Sequence, residues 1–142
     1  MKLQTTLILL LISTLSYGQF NQKTHERNHK EDQLKILEEN SAKFKNGTGD
    51  FFRYLSKKLK FPKEAKPYKL DGTVKVKFTI GVDGKVKPES VEVVETTNQI
   101  FNDAAIKVIK SSPKWTPATD PDTKKTVEQT FVYPIFFAAK RG

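Results

Sequence analysis

His25-Glu26-Arg27-Asn28-His29 has the spacing H-E-x-x-H. On a helix it sets two imidazoles one turn apart to hold zinc, with the glutamate as general base for attack on a peptide bond. The surroundings argue against that chemistry. The motif lies in a polar stretch with no apolar stripe to bury its helix, and the chain has only 2 histidines. A catalytic zinc also needs supporting hydrogen bonds and a cleft, and the rest of the chain is committed to a compact sheet and helices. The match is therefore read as chance, and no catalytic residue, metal ligand or cofactor is expected. The carboxylates Asp83, Glu89, Glu92, Glu95, Asp103, Asp120, Asp122 and Glu128 show no paired spacing suited to acid and base work. Ser90, Ser111 and Ser112 have no evident activating partner, and the absence of cysteine excludes thiol chemistry. The expectation is a binding protein, not an enzyme.

The elements that must position a binding surface are written in the apolar spacing. From Gly72 to Val86 every second residue is apolar, which places Val74, Val76, Phe78, Ile80 and Val82 on one strand face and Lys75, Lys77 and Thr79 on the other. Val82-Asp83-Gly84-Lys85 suits a tight hairpin, so a second strand is expected from Val86 to Glu95. Upstream, Asp50 caps a helix that carries Phe51, Phe52, Leu55 and Leu59 and ends at Pro62. Downstream, Thr97 or Asn98 caps a second helix with Ile100, Phe101, Ala104, Ala105, Val108 and Ile109, stopped at Ser111-Ser112-Pro113. Trp115, between two prolines, is expected in the core under a loop rather than as an exposed anchor. After the polar turn Pro121-Asp122-Thr123-Lys124-Lys125, a last strand runs from Thr126 to Phe137, and Pro134 puts it at a sheet edge because proline has no donor for a ladder on both sides. The order α-β-β-α-β gives the α+β class, a small antiparallel three-stranded sheet with two helices packed on one face.

The 142 residues suffice for one modest domain, and 37% hydrophobic with 29% charged residues describes a chain that folds in water. Met1 to Gly18 has Lys2, an apolar centre from Leu7 to Leu15, and small residues before Gly18, the pattern of a cleaved export signal. The alternative, an inner-membrane anchor, is disfavoured because the apolar stretch is shorter than the roughly 20 residues that span a bilayer. Residues 19–47 read as a polar arm with a short helix through Lys45, and residues 48–142 as the folded domain. Cleavage removes Lys2 and no acid, so the formal charge of +9 falls to +8. Such an excess attracts anionic partners in general. The lysines are scattered, without stacking aromatics or a recognition motif, so nucleic acid is not expected.

Phe61-Pro62 with Ala65, then Gly72-x-Val74-x-Val76-x-Phe78-x-Ile80-x-x-Asp83-Gly84-x-Val86, then Ala104-Ala105, Trp115-x-Pro117-Ala118 and Val132-x-Pro134-Ile135-x-Phe137 resemble the TonB C-terminal domain family over about residues 50 to 138. The family's usual glycine before the last strand is replaced here by Thr123-Lys124-Lys125. The resemblance implies a periplasmic, non-enzymatic domain whose last strand pairs with an extended segment of an outer-membrane TonB-dependent receptor. The matching partner-binding positions are Thr126, Val127, Glu128, Gln129, Thr130, Phe131, Val132, Tyr133, Pro134, Ile135 and Phe136. The family's anchor helix and proline-rich spacer have no counterpart in the sequence. The expectation is a free periplasmic module involved in TonB-dependent transport, membrane-attached only if the N-terminal segment stays uncleaved, with a homodimer left open. The alternative is a structural envelope protein that binds anionic polymer or lipid through its basic surface.

Overall fold

The computed structural model describes residues 26–27 and 29–140; the expected export signal, His25 and Asn28 lie outside the described residues. The chain divides into two units, Met1–Glu39 and Asn40–Gly142. Of the first unit, Glu26, Arg27 and His29 are helical and exposed, and a helix α1 covers 29–40 with Leu34, Ile36 and Leu37 exposed. No described helix is long and apolar enough to cross a membrane.

The second unit begins with an extended segment, not with the continued helix expected through Lys45. Lys43 and Thr116 exchange backbone hydrogen bonds at 2.9 and 2.8 Å, and Ala42 and Phe44 are buried. The reason is packing. Phe44 lies 5.2 Å from the Phe51 ring and 5.3 Å from Trp115, and a helix carried on from residue 40 would turn it away from them. Helix α2, Thr48–Lys58, starts after Gly47 rather than at Asp50. Asp50 instead sits in the first turn, where its charge suits the helix dipole and where it accepts from Arg53 at 2.8 Å. Phe51 and Leu55 are buried, whereas Phe52 is exposed.

Strand β1, Gly72–Ile80, is the centre of the sheet, with every even-numbered residue from Val74 to Ile80 buried. The chain then departs from the expected hairpin. Gly81 and Lys85 close a turn at 2.8 Å, Val82 is exposed on it, and only Ile80 and Val86 pair beyond it. Pro88 opens a 3-10 turn, Pro88–Ser90, so that strand β2 is Glu92–Thr96 instead of a run from Val86. Proline cannot donate to a ladder, which is why pairing waits until it has been passed. The β1/β2 register shifts beside Val76, where Lys75 faces Glu95 and Val76 faces Val93, leaving Val94 as the extra bulge residue.

Asn98 accepts from the Ile100 amide at 3.0 Å and caps a short turn, Gln99–Phe101, that leads into helix α3, Asn102–Lys110. Helix α3 buries Ala105, Val108 and Ile109, and the Tyr54 hydroxyl of α2 donates to the Val108 carbonyl at 2.8 Å, tying the two helices together. Trp115 is buried as expected, its indole N–H donating to the Ser112 hydroxyl at 2.8 Å. The expected last strand is two strands. Thr126–Val127 (β4) pairs with Ala118–Thr119 (β3) in a separate ribbon, and Gln129–Phe137 (β5) pairs with β1. The result is an α+β fold with a three-stranded antiparallel sheet in the order β2-β1-β5.

Candidate functional site

Strand β5 is an edge strand, and the direction of its peptide groups follows from its neighbours. Thr79 and Thr73 turn their peptide groups away from β5: the Lys87 and Thr97 amides donate to their carbonyls at 2.9 and 3.0 Å, and their own amides donate to the Ser90 and Thr97 hydroxyls. Antiparallel residues alternate in this respect, so Val74, Val76, Phe78 and Ile80 turn theirs toward β5. The register sets Ile135, Tyr133, Phe131 and Gln129 opposite these four. Thr130, Val132, Pro134 and Phe136 therefore turn their peptide groups outward. Pro134, opposite Lys75, has no N–H to offer there. The free edge thus carries four acceptors but donors only at Thr130, Val132 and Phe136.

Side chains alternate with the same period. Phe131, Tyr133, Ile135 and Phe137 face the core, while Thr130, Val132, Pro134 and Phe136 share the open face with Lys75 and Lys77. Those lysines pair with Glu95 at 2.7 Å and Glu92 at 2.8 Å. Val132 is 54% and Phe136 63% exposed, an apolar stripe beside an unpaired strand edge. Burial raises the Tyr133 phenol above its usual range, so it stays neutral at any physiological pH.

The structure brings together only part of the stretch from Thr126 to Phe136. Thr126 and Val127 belong to the β3/β4 ribbon, and Glu128 is bound to Lys87 by an ion pair. The cause is the turn before them. The Asp120 carboxylate accepts from the Asp122 and Thr123 amides and the Thr123 hydroxyl, and Lys124 takes a positive φ of 59°, so the chain folds back on Ala118 and Thr119. Sequence reasoning also passed over Ala42 and its contact with Gln129. The Ala42 amide donates to the Gln129 side chain at 2.7 Å, which fixes the start of β5 against the segment ahead of α2. The one available signal was the alternation of Ala42 and Phe44 with Lys43 and Lys45.

A larger open groove of about 860 Å³ lies on the helical side, lined among others by Tyr54, Lys58, Phe61, Ile100, Asp103 and Lys107. Its lining carries charges of both signs. Among the described residues no group of three or more His, Cys, Asp or Glu is placed to hold a metal ion.

A family model described as Gram-negative bacterial TonB protein C-terminal matches residues 57–138. Two solved structures similar to the chain are NMR solution structures of the Helicobacter pylori TonB-CTD. One, of residues 179–285 of that protein, is 29% identical with a TM-score of 0.49 and covers 64% of this chain and 78% of its own. The other, of residues 194–285, is 31% identical with a TM-score of 0.47 and covers 66% and 94%. No curated protein sequence matches the chain.

Proposed function

The chain belongs to the family of the TonB C-terminal domain, and on that premise we propose that it is an envelope binding module taking up an extended segment of a partner protein along the free edge of β5. The partner is an outer-membrane receptor of TonB-dependent transport, and the module, exported by its Met1–Gly18 segment, meets it in the periplasm. The observation that carries this reading is the outward-turned backbone of Thr130, Val132 and Phe136 beside an exposed apolar stripe. An added strand gains backbone hydrogen bonds there, and its alternate side chains meet Val132 and Phe136. Each bond contributes about 0.5 to 1.5 kcal/mol net. A few of them barely exceed the several kcal/mol lost on association. The binding is therefore weak and reversible, as a coupling that engages and releases requires.

Site-specific crosslinking in the envelope tests this. A photoreactive side chain at Val132 should capture the plug region of an outer-membrane receptor, while the same group at Lys107 on the helical side should not. Capture from Lys107 and none from Val132 would overturn it.

A further inference from the structure

The core-side face of β5 is sealed at Ile135 and Phe137 but only partly closed at Phe131 and Tyr133. Beside these two rings lies a cavity of about 130 Å³, walled by Phe44, Phe51, Trp115, Phe131 and Tyr133, with Thr48 among its lining residues. The walls brace one another. Phe51 meets Tyr133 edge to face at 4.9 Å, Phe44 meets Trp115 at 5.3 Å, and Trp115 meets Phe131 at 5.6 Å. The small Ala42 and Gly47 also line the space and leave it unfilled.

The free edge and this cavity share a register. The outward peptide groups of Thr130 and Val132 flank Phe131, and a strand paired with them continues the pleat. Its residues opposite Phe131 or Tyr133 then send their side chains to the core side, about 5 Å from these neighbours. From this geometry we infer that the cavity is a specificity subsite that takes one branched aliphatic side chain, Val, Leu or Ile, of the added strand. Size sets the class: a cavity of roughly 150 Å³ holds a benzene ring, so this one suits an aliphatic branch and excludes an indole. The lining is mostly rings, its one charged residue, Lys43, is exposed, and the Trp115 indole N–H is already bonded to Ser112, so the interior disfavours a charge. The inference rests on strand addition at β5 and adds to it a sequence requirement on the partner.

The test uses the full chain and acetylated, amidated heptapeptides Thr-Gln-Thr-X-Thr-Gln-Thr, with X as Ala, Val, Leu, Ile, Trp or Asp. Trp115 is the only tryptophan and lines the cavity, so its fluorescence reports occupancy for every X except Trp, which is followed by NMR titration. Peptides with Val, Leu or Ile should bind about tenfold more tightly than Ala, and those with Trp or Asp no better than Ala. Ala42→Leu, which fills the cavity, should erase this preference, bringing the Val, Leu and Ile peptides to the affinity of the Ala peptide; Thr48→Leu provides the same block if Ala42→Leu unfolds. Val132→Pro should weaken every peptide equally. Equal affinity for all X, with Val132→Pro still weakening them all, overturns the subsite and leaves strand addition standing. Binding indifferent to Val132→Pro, or no binding at all, overturns both. A concentration-dependent Trp115 shift without peptide would place a second copy of the chain in the cavity and also overturn the subsite.

Discussion

Gly84 shows how much a single backbone position can decide. Its φ is 80°, and a Cβ added there would lie 2.0 Å from the Trp115 carbonyl oxygen, while the Trp115 amide donates to the Gly84 carbonyl at 2.7 Å. The turn after β1 thus docks directly on the tryptophan loop. Gly84→Ala should lower unfolding stability by about 2 kcal/mol or more, as urea denaturation followed through Trp115 would show. Asp120 is a second residue with a defined role. Hydrogen bonds from the Thr123 amide and then the Thr123 hydroxyl lower its pKa from the usual 3.8. Its folded form therefore favours the carboxylate, a contribution complete above the ordinary value and lost as pH falls through the lowered one. The protection of the Asp122 and Thr123 amides against exchange, relative to their intrinsic rates, should fall in that acid range and not near neutrality, and in Asp120→Asn it should show no such pH dependence. The Asp-Gly pair and the buried tryptophan were legible in the sequence from residue type alone. That they touch each other was not, because 31 positions separate them and nothing in either neighbourhood specifies the other.

At the scale of elements, strict alternation predicted β1 correctly and misled on β5. Apart from Gln129, the apolar period keeps one phase from Val127 through Phe131 to Ile135, yet Glu128 separates a strand of the small ribbon from a strand of the main sheet. Period reports which face a residue takes but not which neighbour it pairs with, and the Asp120 turn decides the latter. Likewise the Asp-Gly turn points to a strand from Val86 to Glu95, and Pro88 delays it to Glu92. The edge position of β5 was legible because a missing donor is a property of the residue itself. The two faces of β5 should respond differently to truncation. Ile135→Ala, at 1% exposure, should cost about 2 to 5 kcal/mol. Val132→Ala should stay within about 0.5 kcal/mol in the same denaturation series.

At the scale of the molecule, the core draws on residues far apart in sequence. Phe44 joins Phe51, Tyr54 and Trp115, and Asn40 accepts from the Thr119 hydroxyl at 3.0 Å. A chain reduced to Asn40–Gly142 should therefore melt at nearly the temperature of the longer chain. One that starts at Thr48 should lose about 3 to 5 kcal/mol with the Phe44 ring alone, a difference differential scanning calorimetry would resolve. This segment escaped sequence reasoning because two buried residues in a polar arm carry little periodic signal; their burial comes from the aromatic wall they complete. The surface has its own logic. An unpaired strand with exposed Val132 and Phe136 is a template that any other extended chain can extend, including further copies of itself, and unlimited growth along it ends in fibres. Pro134 breaks the row of donors in the middle. The gap interrupts the long ladder that such growth needs, so the residue that marks the edge also limits extension along it.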